Sequence, residues 1–195
     1  MTAPSASKKT GAMVPAWGFL SLRALAVLLV MCFLAAAIGG AVTTPKIDGW
    51  YAMLTKPSFN PPNWIFGPVW TILYAMMAFA AWRVWRTDPA IVANRGALLL
   101  FMLQLAFNLA WSVSFFGLES PLAGLVVIVL LEFLIVATIV AFGKQDKAAA
   151  WLLVPYAAWV GFAMLLNIAI YIIKRCYTND VIEILNRRDA HCPTR

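Results

Sequence analysis

The sequence predicts an all-α fold, an integral membrane bundle of five transmembrane helices, and three observations carry that prediction. Apolar residues make up 63% of the 195 and charged residues only 12%, whereas about a quarter of a soluble domain is charged. Five segments (24–42, 68–85, 97–116, 122–142 and 148–173) reach or approach the roughly 20 apolar residues that a helix needs to cross the hydrocarbon. The connections between them are short, which favours antiparallel packing of sequence neighbours and leaves no room for a separate soluble domain.

The chain accordingly divides into a basic head (1–23), the bundle (24–173) with a lid loop at 43–67, and a polar tail (174–195). The head is basic and free of acidic residues, so a targeting peptide has to be weighed. The apolar run behind it is too long for a signal-peptide core and passes straight into a Pro-rich loop, so it is read as a retained first helix. Gly39-Gly40 near the end of that helix lets another backbone come close, either for helix packing or for a ligand.

The rest of the chain is organised around the stretch GWYAMLTKPSFNPPNWIFGPVWTILY (49–74). Pro57, Pro61 and Pro62 fix φ, remove backbone donors and push their predecessors to extended geometry, so the segment is not one continuous helix. Trp50, Tyr51, Phe59 and Trp64 are interleaved with those breakers. Two readings fit: anchors at the bilayer interface, or a lid over a cavity. Helix two then carries Trp70, Tyr74 and Met77 at i, i+4, i+7, one stripe that serves either packing or a cavity wall. Trp82 and Trp85, beside Arg83 and Arg86, read as interface anchors.

Helix three holds QLAFNLAW, which brings Gln104, Asn108 and Trp111 within roughly 60° on the helical wheel. Two amides at membrane depth need partners, either as glue between helices or as the few polar groups of a small-molecule site. Ala106 and Ala110 lie on the opposite side as a small-residue surface. Helix four carries Glu132 in a long apolar run, where a carboxyl group is costly unless neutral, paired or facing water, so it is expected to look inward. Helix five opens its hydrogen-bond ladder at Pro155 and then sets Tyr156, Trp159 and Ala163 on one side, with Asn167 further along.

Several function classes are excluded by residue type alone. His191 is the only histidine, and Cys32, Cys176 and Cys192 lack metal-ligand spacing, so neither a zinc site nor a His-based triad is expected. The net charge of +7 suits membrane lipid with anionic headgroups rather than nucleic acid, because the basic residues do not cluster on a soluble module. They divide eight to seven between the two ends of the bundle, and the short loops favour the N-terminal side as cytoplasmic.

WYAMLTKPSFNPPNWIFGPVWTILY, QLAFNLAWSVSFFG and LLVPYAAWVGFAMLLN, in that order, resemble the three signature blocks of the translocator protein family, also called TspO, tryptophan-rich sensory protein or peripheral-type benzodiazepine receptor. The likeness spans about 24–171. It implies a homodimeric five-helix bundle whose first loop closes over a pocket for porphyrins, isoquinoline carboxamide and benzodiazepine drugs, and sterols. By matching positions, Trp70 and Trp159 resemble the tryptophans tied to porphyrin handling, and Asn108, Trp111 and Ala163 match other pocket positions. The family's sterol motif begins at Leu166-Asn167 here, but Ile168 and Ile172 replace its aromatic and its arginine. Leu166, Tyr171 and Lys174 meet the loose cholesterol pattern only in a shifted register.

The expected ligand-binding set is therefore Trp50, Lys56, Trp70, Tyr74, Gln104, Asn108, Trp111, Trp159, Ala163 and Leu166, with porphyrin as ligand, no cofactor and no metal. The leading function is a membrane receptor or carrier for tetrapyrroles in stress or oxygen sensing, resident in a bacterial envelope membrane rather than a mitochondrial outer membrane. Two alternatives stand beside it. One is light- and oxygen-dependent porphyrin breakdown through Trp70 and Trp159; the other is a structural bundle that organises other membrane proteins through faces such as Ala106/Ala110.

Overall fold

A computed structural model describes the backbone of residues 17–88 and 91–189 and the side chains of 20–88 and 91–176. The head through Ala16, the expectations at His191 and Cys192, and the end of the tail lie outside the described residues. Among the described residues five helices are long and apolar enough to cross a membrane: α1 (Trp17–Lys46), α2 (Phe66–Thr87), α3 (Arg95–Ser112), α4 (Pro121–Gly143) and α5 (Lys147–Asp189). The protein is a multi-pass integral membrane bundle.

Neighbours in space are α1–α2, α2–α5, α5–α4, α4–α3 and α3–α1, so the five helices close a ring. This corrects the expectation that every pair of sequence neighbours packs together, because α2 and α3 scarcely touch and α5 takes α3's place beside α2. Asp88 and the described residues 91–94 cap the end of α2. The fully buried Asn94 donates through Nδ2 to the Val84 carbonyl (2.6 Å) and to Thr87 Oγ1 (3.1 Å), while the Ala93 amide donates to Asp88 Oδ2 (2.7 Å). The carbonyl of Val84, in the last turn of α2, thereby gains a donor.

Small residues set the spacing. Ala78, Ala80 and Ala81 on α2 have no solvent exposure, which lets α1 and α5 approach from two sides. Trp82 adds a tether by donating Nε1 to the Ser21 carbonyl (2.8 Å). The core below the site is filled by Met77, Phe101, Leu131, Ile135, Phe142 and Leu153, with Phe101 stacked on Phe142 at 6.0 Å. Large apolar side chains such as Val30, Ile72, Leu99, Phe133 and Leu165 remain exposed on the outside, as lipid-facing positions do.

Two elements run further than the sequence suggests. Helix α1 does not stop near Val42; it continues through Pro45 to Lys46 and into a wide π-type turn (Ile47–Tyr51) with a kink at Gly49 (φ −99°, ψ −109°). The non-helical part of the lid loop is therefore shorter than 43–67, and Asn63–Ile65 is already a 3-10 turn leading into α2. Helix α5 likewise continues beyond Ile173 to Asp189, and its side chains at Lys174, Arg175 and Cys176 are exposed. Pro155 sits within α5 near its start without ending it, as nearby helices and local backbone adjustment permit in a membrane.

Candidate functional site

At the end of the bundle where α1, α3 and α5 approach the lid, the ring encloses a cavity of about 320 Å³. Ala36, Gly39, Gly40, Thr43 and Thr44 of α1 form one wall. Phe66, Gly67, Trp70, Thr71 and Tyr74 of α2 form the next. Helix α3 and its terminal turn contribute Asn108, Trp111, Ser112, Phe115 and Phe116, and α5 contributes Ala163, Leu166, Asn167 and Ile170. Helix α4 contributes nothing to the wall; it buttresses α3 and α5 from outside.

The floor is polar and internally paired. Tyr74 Oη donates to Asn108 Oδ1, and Asn108 Nδ2 donates to Tyr156 Oη (3.1 Å), which joins α2, α3 and α5 through one amide. Trp70 packs on both phenols, with ring centroids 5.6 Å from Tyr74 and 6.2 Å from Tyr156. Trp111 stacks on Phe115 (5.8 Å, 23°), and its buried Nε1 has no acceptor among the described residues. A buried N–H without a partner is costly. It is a ready donor on a cavity wall.

Asn167 fixes the upper rim. Its amide donates to the Pro121 carbonyl (2.8 Å) and accepts from the Leu125 amide (3.1 Å) in the orientation that satisfies both atoms. Gly124 makes this possible, because a Cβ there would lie 2.8 Å from Phe115 Cδ2 and 2.9 Å from the Asn167 amide. Across the mouth, Lys46 Nζ and Glu119 Oε1 form an ion pair (2.7 Å) that ties the end of α1 to the α3–α4 connection.

The lid is built on Tyr51. The buried phenol donates to Asn60 Oδ1 (2.8 Å), and Asn60 Nδ2 donates onward to the Pro61 carbonyl (3.0 Å). Lys56 folds back, donating to the carbonyls of Tyr51 (2.8 Å), Ala52 (3.2 Å) and Leu54 (3.1 Å) while its ammonium sits 4.8 Å from the Tyr51 ring centroid. Phe59 rests edge-on against Phe162 of α5 at 6.4 Å. Prolines keep the segment out of either helix, and these bonds tie it back on itself.

Of the ten residues expected from sequence, Trp70, Tyr74, Asn108, Trp111, Ala163 and Leu166 lie on the cavity wall. Four do not. Trp50 packs edge-on against Phe115 (5.5 Å), behind the wall, because the kink at Gly49 turns it away. Lys56 is occupied by three carbonyls of its own loop. Trp159 faces Phe66 (5.8 Å) and Phe162 (5.7 Å), so Phe66 rather than Trp159 meets the cavity. Gln104 is 1% exposed one turn below Asn108, and neither amide atom has a partner among the described residues. Leu166 lines the cavity while Lys174 is exposed, so the shifted sterol pattern does not make one surface.

Of the α1 wall, sequence reasoning marked only Gly39-Gly40 and missed Ala36, Thr43 and Thr44. Gly39 and Gly40 divide the two roles weighed for them: a Cβ at Gly39 would meet Ser112 Oγ at 3.3 Å, while one at Gly40 would meet nothing within 4 Å. Thr43 and Thr44 fall in the stretch assigned to the lid, and the signal that could have placed them is the helical period continued through Pro45. Among the described residues the cavity is lined by aromatic rings, hydroxyls and amides, with no formally charged side chain.

Comparison with known proteins comes to one result by two routes. Residues 11–172 match the model of the TspO/MBR family. The chain is 49% identical over 151 residues to the Tryptophan-rich protein TspO of Chlorobaculum tepidum, covering 75% of this chain and 92% of that one. It is 39% identical over 141 residues to the Tryptophan-rich sensory protein of Cereibacter sphaeroides (71% and 87%). It is 37% identical over 163 residues to the Translocator protein of Homo sapiens (81% and 89%).

Proposed function

The chain belongs to the TspO/MBR family, and on that premise we propose that it is a membrane receptor or carrier whose cavity takes a flat aromatic ligand of the tetrapyrrole class, in stress- or oxygen-linked sensing. The observation that carries this reading is the wall itself. Trp70, Tyr74, Trp111, Phe66, Phe115 and Phe116 surround one space, and a conjugated macrocycle gains most from such rings by stacking. The volume of about 320 Å³ lies at the lower end of small-molecule sites, so a macrocycle would seat with its edge at the mouth under the lid. The hydroxyls of Thr43 and Thr44 and the Trp111 N–H supply hydrogen bonds there, and Thr71, whose hydroxyl donates to the Gly67 carbonyl, can only accept. Lys56 would reach a propionate only after leaving its carbonyls. The small-residue face with the exposed Ala106 suits a homodimer, and the bacterial relatives suit a bacterial envelope membrane.

A titration of the purified protein with protoporphyrin, followed by tryptophan-fluorescence quenching, tests this. Saturable quenching that weakens when Trp111 is replaced by Phe supports the receptor. Linear quenching without saturation, unchanged in that variant, overturns it. Illuminating the complex also reads out turnover: loss of porphyrin absorbance that disappears in the Trp70→Phe, Trp159→Phe double variant would assign an enzyme. Persistence of the spectrum leaves a receptor.

A further inference from the structure

At the opposite end of the bundle from the cavity, α2 and α5 leave a shallow groove on the outer surface, lined by Phe79, Arg83, Ala148, Trp151 and Leu152. We propose that this groove is a binding site for an anionic phospholipid, with the phosphate held by Arg83, Arg86 and Lys147 and an acyl chain laid over Phe79 and Leu152. Helical spacing puts Phe79, Arg83 and Arg86 on one stripe of α2 and Lys147 and Trp151 on one stripe of α5, with Leu152 about 100° further round beside Ala148. Both stripes change from apolar to cationic in the same direction. Helix α2 ends at Thr87 and α5 begins at Lys147, so the cations stand at the membrane boundary and the apolar residues one turn or more inside it.

Three details point to an anion that the protein does not itself supply. Arg83 gives Nη2 to Asp146 Oδ2 (2.8 Å), but its Nε is buried and has no acceptor among the described residues. Arg83 lines the groove, and the exposed Arg86, whose guanidinium lies 4.7 Å from the Trp82 ring centroid, and Lys147 stand at the same two helix ends. Trp151 is 72% exposed beside it, an indole placed where interfacial tryptophans meet lipid headgroups. Such a boundary offers one common molecule with a phosphate at that depth and a hydrocarbon chain pointing inward. A membrane phospholipid meets both demands.

The test uses the full chain in detergent, with binding of phosphatidylglycerol, phosphatidylcholine and inorganic phosphate compared by native mass spectrometry and thermal melting. Phosphatidylglycerol is expected to bind and to raise the melting temperature, with phosphatidylcholine and inorganic phosphate far weaker. The Arg86→Gln, Lys147→Gln double variant leaves the Arg83–Asp146 pair intact and should fold. Losing about fivefold per cation, it should bind phosphatidylglycerol some twenty- to thirtyfold more weakly. Leu152→Trp, which fills the groove from a partly exposed position, should reduce binding without removing charge. The proposal is overturned if both variants keep the preference, or if phosphate alone stabilises equally. It is also overturned if the variants change only the oligomeric state, which would put a second copy over the groove.

Discussion

Gln104 and Asn108 are two amides one turn apart on the same face of α3, and they end in opposite situations. Asn108 joins two phenols, so Asn108→Ala would strand two buried hydroxyls and should cost about 1–3 kcal/mol, with a matching fall in melting temperature. Gln104 makes no side-chain bond among the described residues. Gln104→Met, of similar shape and without polar atoms, should leave the melting temperature unchanged or raise it, and leave ligand affinity unchanged. A clear fall would show that a buried water completes the Gln104 amide. Ala163 offers the sharpest test of the cavity. Ala163→Leu intrudes on ligand volume and should weaken porphyrin binding about tenfold while barely altering stability. Lost stability with intact affinity would mean that this part of α5 is packed core.

Among the elements, the meeting of α4, α5 and the turn after α3 depends on a position that no sequence motif marked. Gly124→Ala would drive a Cβ into Phe115 and the Asn167 amide. It should destabilise the bundle by about 1–3 kcal/mol, with ligand affinity falling as the Asn167 rim shifts. Thermal melting beside a titration separates the two effects, and an unchanged melting temperature would refute the close approach. The lid shows a related dependence. Its prolines and aromatics mark a non-helical segment in the sequence, but the roles of Tyr51, Lys56 and Asn60 depend on hydrogen bonds that close the loop on itself, which residue type alone does not specify.

For the molecule as a whole, the ring is tied across its ends by Lys46–Glu119 at the mouth and Arg83–Asp146 at the other side. Asp146 is also the cap of α5, accepting from the amides of Ala148 (2.8 Å) and Ala149 (3.2 Å). Burial raises its carboxyl pKa, but the bonds from Ala149, Arg83 and Ala148 outweigh that and hold it below the ordinary carboxylate range. A depressed folded-state value stabilises the protein at pH above the unfolded value, and this contribution is lost as pH falls through the folded one. The melting temperature should therefore drop below about pH 4 more steeply in the native protein than in Asp146→Ala. At neutral pH that variant should cost about 1 kcal/mol through the lost cap. Parallel pH profiles for the two proteins would refute the assignment.

By itself the sequence determined the fold class and the number of spans, and it put on common helix faces six of the ten residues expected to bind ligand that the structure places on the cavity wall. Each follows from local physics: hydrocarbon thickness sets span length, and 3.6 residues per turn puts Trp70 with Tyr74, Asn108 with Trp111, and Ala163 with Leu166 on common faces. Which faces meet was decided only by the tertiary structure. An all-round apolar helix carries little information about its orientation in lipid, where burial no longer distinguishes inside from outside. The ring order that brings α1 into the wall, puts Phe66 in front of Trp159 and leaves Gln104 alone below the floor therefore had to come from shape. Close approach at Ala78, Ala80, Ala81, Gly39 and Gly124 selects it, because small residues let backbones pack together and larger ones do not.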